Sequence, residues 1–536
     1  MADIALLSYI PDPFAVQTSQ FLIREPDGKH RHVNAKELSE YPKPLLTYDL
    51  AILIDDLRRL NHGPPAHLLD IGDALKLSVA RSRDDGGEQH WNVWSAVKRR
   101  FPSKADAEHF ERLVLSRESR PDAEDLTRLL VEASDALARV WESLSLRLQR
   151  QGEFERLTTV EWPLQSAFAY RQHRGVRVDA GGAVALLERI SAEKYSAYRR
   201  VAEILGKSPT GLNFWNIQRH LAGTDLAYLI DLEPGGRLQS AFEMAATSSP
   251  LASAFVDLIK AGRDSNIVRR AIGAGDRIYP IFHVMGTVTG RILVSDPYLQ
   301  QLRRAYRSLI AAEHNQRLAY LDYAQFEPGV LAGLSQDELL IAAYNDGDLY
   351  TRLAEALFDD GRQRPAAKRA FLAFSYGMTA ERIAMMLAGS AGDRADCNAY
   401  AIKIARFFEV FPKLTMFRAR QQSLLLNDGY VVSLFGNRRQ RYALGENLSQ
   451  KEGRWALNHP VQATASLIFK EALIDLIAEF GADPVVLPMH DAVLLQFPDD
   501  ARFAANVERA SSIMIQAFER RVPGVMPRIK AGEFTD

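Results

Sequence analysis

Two aspartates in this 536-residue chain stand where metal chemistry could be done. Asp322 lies in "LDYAQFEPG" (Leu321 to Gly329), at the end of an apolar run and ahead of a Pro-Gly pair, with Glu327 five residues on. Asp491 lies in "PVVLPMHDAVLLQFP", flanked by apolar residues on both sides. Taken singly, each reads equally well as a turn acid, because Asp favours turns through local hydrogen bonds. Taken as a pair they suggest more: two close carboxylates repel each other unless cations neutralise them. Hard oxygen ligands with few other protein groups suit Mg²⁺, which keeps waters and takes substrate phosphates. Two such ions form the arrangement used for phosphoryl transfer.

Between them runs "RPAAKRAFLAFSYGMT". Arg364, Lys368, Leu372 and Tyr376 recur every four residues, a slowly drifting stripe on one helix face. Pro365 suits the first helical turn. Charge at one end of such a face could hold a triphosphate, and the apolar and aromatic end could pack on a sugar or base. The competing reading is a solvated Arg-Lys edge on a packed helix.

The elements that must position these residues follow from pattern. "RLAYLDY" reads as a strand carrying Asp322, and Pro328-Gly329 as the turn leaving it. "PVVLPMHDAVLLQFP" reads as a β-hairpin turning at Met489-His490-Asp491. "IYPIFHVM" and "GYVVSLFG" read as short strands, and helices dominate from Ser335 to Leu425. Residues from Glu153 to Gly275 are mostly helical, broken at "GKSPTG", "EPGGR" and "SSP". Ahead of them, "QFLIREPDGKHRHV" reads as a hairpin, while "LLTYDLAILIDDLRRL" and "DAEDLTRLLVEASDALARVWESLSLRLQ" read as helices of a small α/β domain.

Asp322-Tyr323-Ala324-Gln325-Phe326-Glu327, Arg364-x-x-x-Lys368 with Tyr376-Gly377, and His490-Asp491 resemble motifs A, B and C of family A DNA polymerases. Thr289–Leu302, Gly429–Arg441, Arg454–Leu473 and Glu161–Asp179 are similar to further family segments in the same order. The matching covers about Glu161 to Phe497. The resemblance implies a mixed α/β fold, a right-hand polymerase of palm, fingers and thumb preceded by a ribonuclease H-like exonuclease-type domain. The implied divisions are 1–148 (degenerate 3′–5′ exonuclease-like), 149–285 (thumb and connecting helices), 286–345 (palm), 346–430 (fingers) and 431–536 (palm).

The resemblance also implies roles. Asp322, Asp491 and the backbone carbonyl of Tyr323 would hold two Mg²⁺ ions, with Mn²⁺ as a substitute. Arg364 and Lys368 would bind the incoming triphosphate, and Lys368 would also protonate the pyrophosphate. Gln325, Tyr350, Leu372 and Tyr376 would line the nucleotide side, with Tyr376 by the templating position. Glu327 would exclude a ribose 2′-hydroxyl. Arg291, Arg454, Asn458, Gln462 and His490 would face the primer-template near the new pair, where recurrent minor-groove acceptors allow a shape check without sequence readout. Implied partners are primer-template DNA and deoxynucleoside triphosphates, for a cytoplasmic monomer that would be nucleoid-associated if bacterial.

Several positions depart from the family pattern. Leu372 stands where Phe or Tyr is usual and lacks the flat face of a ring. Ala373 replaces Gly, Tyr350 replaces His, Gly329 replaces Arg, and Ala492 replaces Glu. In the first segment Asp49 and Asp125 match two metal-binding acids of the family's exonuclease. However, that chemistry needs about four carboxylates. No Asp-x-Glu pair stands on an early strand, Glu25 and Asp27 occur in reverse order, and Pro121 replaces the expected Tyr. No proofreading is therefore expected. Nor is a 5′-nuclease domain, because the chain starts at the exonuclease-like region.

Bulk properties leave this reading intact. The chain is 47% hydrophobic and 25% charged, a globular balance of about three domains. The single Cys397 rules out a disulfide framework and a thiolate zinc site. No signal peptide or membrane-length apolar run is evident. With a formal charge of -1, nucleic acid would have to bind at a local basic cleft. A related RNA polymerase and a catalytically silent nucleic-acid-binding module remain alternatives. Glu327 speaks against the first, and the retained Asp322, Asp491, Arg364 and Lys368 speak against the second.

Overall fold

A computed structural model describes residues 3–12, 19–82, 91–115, 122–208, 216–232, 236–246, 248–388, 394–441, 445 and 447–535. Pro121 lies outside the described residues. The first unit is a five-stranded sheet of order β3-β2-β1-β4-β5, built from Ala5–Ile10 (β1), Gln20–Arg24 (β2), His30–Val33 (β3), Leu45–Thr47 (β4) and Leu68–Asp70 (β5). The hairpin β2–β3 is antiparallel and joins β1 antiparallel, while β1, β4 and β5 run parallel. β1 is buried along its whole length, as expected for a strand covered on both faces. The helix Ala123–Gln151 covers it, with Ser8 Oγ donating to the Leu130 carbonyl at 2.8 Å.

Two expectations for this unit change. "LLTYDLAILIDDLRRL" is not one helix: Leu45–Thr47 form β4 between β1 and β5, and the helix begins at Leu50. Asp49, at φ +48, turns the chain and caps that helix. The boundary after Leu148 falls inside the last turn of the Ala123–Gln151 helix, which stops at Gly152 with φ +70, the left-handed cap that glycine adopts without strain.

Beyond it, helices Ala180–Leu205 and Pro250–Ala271 pack on each other. Short strand pairs follow: Val176–Arg177 (β6) with Arg277–Ile278 (β7), and Ile281–His283 (β8) with Leu293–Ser295 (β9). The second sheet has order β13-β14-β10-β15, all antiparallel, from Gln316–Ala324 (β10), Val485–Met489 (β13), Ala492–Pro498 (β14) and Arg528–Gly532 (β15). A further hairpin pairs Tyr430–Ser433 (β11) with Gly436–Gln440 (β12), so the expected boundary after Tyr430 cuts a strand. Helices Phe326–Ser335, Gln450–Phe480 and Phe503–Arg521 pack around the β10–β14 sheet and close the largest apolar core. Among the described residues no helix is long and apolar enough to cross a membrane.

Pro328 and Gly329 are not a turn. They lie in the first turn of the Phe326–Ser335 helix, after Gln325 at φ +52. The first four amides of a helix have no partner within it, so Pro costs little there.

A buried polar node ties the units together. Lys470 and Arg156 both donate to Glu161, Arg156 at 2.9 Å, and all three side chains are at most 1% exposed. Arg156 also donates to the Phe435 carbonyl at 3.0 Å, and Glu153 accepts from the backbone amides of Asn437 (2.6 Å) and Arg438 (3.0 Å). Removing one partner of a buried pair leaves uncompensated charge. Lys470→Met should therefore lower stability by about 3 kcal/mol in urea unfolding; a loss below about 1 kcal/mol would contradict this role.

Candidate active site

The register of β10 against β14 sets Asp322 opposite Ala492, so Asp491, the preceding residue, stands beside Asp322 at the mouth of the hairpin. The Tyr323 amide donates to the Asp491 carbonyl at 3.3 Å and locks the two segments. His490 adopts φ +58 to make the turn. On the other side β15 places Lys530 opposite Asp322. Burial, then the neighbouring Asp491, push Asp322 up to about 6, with Lys530, Lys368 and Arg307 opposing. The charged form of Asp322 is thus disfavoured at this place, which is the condition a divalent cation relieves. The residues present fit Mg²⁺ in donor type, with Tyr323 holding its strand in place through a buried hydroxyl that donates to the Met514 carbonyl at 2.6 Å.

Behind them, Glu327 forms an ion pair with Arg291 and is 13% exposed. Burial raises its pKa against the pull of Arg291. Gln325 does not extend into solvent: its side-chain oxygen accepts from the Leu349 amide at 3.0 Å, at the start of the helix Leu349–Phe358. Gly329 has a local cause. A Cβ there would meet the Tyr344 ring at 2.7 Å, and Tyr344 Oη donates to the Ala324 carbonyl at 3.2 Å. Tyr344 thus occupies the space an arginine would need. Ala492 is fully buried in the sheet, so a glutamate there would add a third carboxylate beside the pair.

The helix Arg364–Ser375 forms as expected, with Pro365 in its first turn. Tyr350, 2% exposed, lies under its charged end: Arg364 Cζ is 5.2 Å and Lys368 Nζ 5.9 Å from the ring centre. Burial holds the Tyr350 phenol protonated, well above its ordinary range. Arg364 Nε and Nη2 donate to Asp348 Oδ2 at 2.8 and 2.7 Å. Lys368 is exposed, and Leu372 is half-buried one turn on. Tyr376 ends the helix, with its buried hydroxyl unpartnered among the described residues. Arg454, Asn458 and Gln462 recur every four residues along the helix Gln450–Phe480. Leu457 and Arg454 on this helix abut Gly377, the nearest atom 3.1 Å from a Cβ built there.

Asp49 and Asp125 are not brought together. Asp125 sits in the exposed first turn of its helix and pairs with Arg128 at 3.3 Å; no hydrogen bond or ion pair among the described residues joins it to Asp49. Asp49 instead borders a cavity of about 320 Å³ with Asp70, Asp73 and Lys76. Sequence reasoning missed Lys530 and Asp348. Lys530 lies on a short edge strand preceded by Pro527, and Asp348 has only the signature of a helix cap.

The link between the paired acids is measurable. Asp491→Asn should lower the Asp322 pKa from about 6 while leaving it above 3.8, because burial persists. Carboxyl ¹³C titration reads the midpoint, and an unchanged value would contradict the coupling.

Comparison with known proteins identifies the family. The family model "DNA polymerase family A" matches residues 260–532. The thermostable DNA polymerase I of Thermus filiformis is 30% identical over 404 residues, 69% of this chain and 46% of that protein. DNA polymerase I of Geobacillus stearothermophilus is 25% identical over 444 residues, 75% of this chain and 48% of that protein. The chain spans about half the length of the curated relatives it matches. A solved POL domain of Pol1 from M. smegmatis, in complex with DNA primer-template and dNTP, superposes with a TM-score of 0.73 at 19% identity, covering 99% of this chain and 95% of that one. With the family model spanning more than half its residues and the same fold throughout, this chain belongs to DNA polymerase family A.

Proposed function

We propose that the chain is a template-directed DNA polymerase that adds deoxynucleotides to a primer 3′-hydroxyl. The observation that carries this reading is the juxtaposition of Asp322 and Asp491 by the β10–β14 register, with Lys368 among the charges acting on Asp322. In this reading β10, β13, β14 and β15 form the palm, the helices from Leu349 to Asp428 the fingers, and helices Ala180–Leu205 and Pro250–Ala271 the thumb. Two Mg²⁺ ions held by Asp322, Asp491 and the Tyr323 carbonyl would supply the charge that activates the hydroxyl and stabilises the leaving pyrophosphate. Arg364 binds triphosphate oxygens, and Lys368 binds them and gives a proton to the departing pyrophosphate. Glu327, anchored by Arg291, fills the space a 2′-hydroxyl would need. Leu372 and Tyr376 pack against the incoming nucleotide, and Arg454, Asn458, Gln462 and His490 line the template side.

Proofreading is not part of this reading. β1 reads Ala-Leu-Leu-Ser-Tyr-Ile and carries no acid. Tyr9 donates to the Asp49 carbonyl at 2.7 Å and stacks on Tyr48 at 4.9 Å, which fills the ground between β1 and Asp49 with aromatic rings. Repair, lesion bypass and replication are the roles such an enzyme suits.

Extension of a labelled primer on a DNA template with Mg²⁺ tests the proposal. Extension with deoxynucleotides but not ribonucleotides, abolished in Asp491→Ala, is expected. Primer-template binding without extension would favour a silent binding module, and shortening without nucleotides would overturn the absence of proofreading. Leu372→Tyr should change the relative incorporation of dideoxynucleotides, because a ring restores a flat face beside the sugar; incorporation identical to the parent would contradict that.

A further inference from the structure

The contact between Arg364 and Asp348 has a built geometry. Asp348 caps the helix Leu349–Phe358 with one oxygen: Oδ1 accepts from the amides of Tyr350 at 2.9 Å and Thr351 at 3.1 Å. The remaining first-turn amide, that of Leu349, is taken by Gln325 at 3.0 Å. Asp348 Oδ2 is left to face the next helix, where it accepts from both Nε and Nη2 of Arg364. A guanidinium held at two nitrogens cannot rotate about its terminal bonds. Its Cζ lies 5.2 Å from the centre of the Tyr350 ring, and that ring belongs to the helix Asp348 caps. Although burial acts to raise it, Asp348 stays below the usual carboxylate range because Arg364 and the backbone amides hold it charged.

A connected path therefore leads from β10 to the charged helix. Gln325 follows β10 directly and grips the start of the Leu349–Phe358 helix; Asp348 at that start grips Arg364; Lys368 lies one turn beyond Arg364. Both contacts are made by side chains on backbone or charge, so they fix orientation as well as distance.

We propose that Asp348 is a positioning residue for the nucleotide. It holds the Arg364 guanidinium with its free edge toward the triphosphate and keeps it in register with the carboxylates on β10 and the hairpin. This rests on the polymerase reading above and names the residue that sets its triphosphate grip. Arg364 alone on a helix face would sample many rotamers, and ordering it at binding would cost affinity.

Asp348→Asn is the informative variant, since Asn is as good a helix cap as Asp but does not offer Arg364 a charged acceptor. Asp348→Asn should raise KM for deoxynucleotides about tenfold and leave kcat within about threefold, with an unchanged melting temperature. In an Arg364→Ala background the same change should have no further effect on KM. The Arg364 Nε–H resonance should be sharp and slow to exchange in the parent and lost in Asp348→Asn. A parent-like KM in Asp348→Asn, or an undiminished effect in the Arg364→Ala background, would overturn the positioning role. A parent chain that extends no primer would overturn the polymerase reading, and this role with it.

Discussion

The antiparallel pairing of β10 with β14 sets the geometry on which the site depends. Asp322 and Asp491 are separated by most of the second half of the chain, and only this register brings them to one edge. Side chains alternate along a strand, so a slip of one residue would turn Asp322 into the core and bring Leu321 or Tyr323 to the site. Three contacts guard the register: buried Leu321 and Tyr323 on the core face, the Tyr323 amide on the Asp491 carbonyl, and the Tyr323 hydroxyl on Met514. The sheet thus maintains a carboxylate pair that is unfavourable by itself. Burial and mutual repulsion raise Asp322, and the surrounding cations Lys530, Lys368 and Arg307 only partly relieve it.

The charged groups around this pair are held by partners of their own. Arg291 is tied to Glu327, Arg364 to Asp348, and Tyr350 lies beneath both Arg364 and Lys368. Such an arrangement is ordered before any ligand arrives, so less entropy is lost on binding. The buried node of Lys470, Glu161 and Arg156 works at a larger scale, connecting the helix that carries Arg454, Asn458 and Gln462 to the segment leaving the first unit. The node puts its charge inside the protein, which is favourable only where every partner is in place.

Much of this was legible in the sequence, for identifiable reasons. The strand of Asp322 and the hairpin of Asp491 have apolar runs bounded by breakers, and the Arg364 stripe has a helical period with Pro at its start. These are local signals. What was not legible depends on distant partners. β15 is five residues, partly exposed, and becomes a strand only by pairing with β10, so Lys530 gave no signal. Leu45–Thr47 continue into a helix-like pattern, and only the slot between β1 and β5 makes them a strand. Pro328-Gly329 carries the composition of a turn but sits where a helix tolerates it. Gln325 was read with the nucleotide, whereas its side chain serves a neighbouring helix. At Gly329 the Tyr344 ring leaves no room for a larger side chain, and Ala492 is fully buried opposite Asp322.

In the polymerase reading Asp322 and Asp491 together hold the divalent cations at the end of β10. Paramagnetic broadening by Mn²⁺, followed on backbone amides in the parent and in the Asp322→Asn, Asp491→Asn double variant, tests it most directly. Broadening centred on Tyr323, Ala492 and Lys530 is expected in the parent and should be lost in the double variant. Broadening centred elsewhere, or persisting at these amides once both carboxylates are gone, would contradict it.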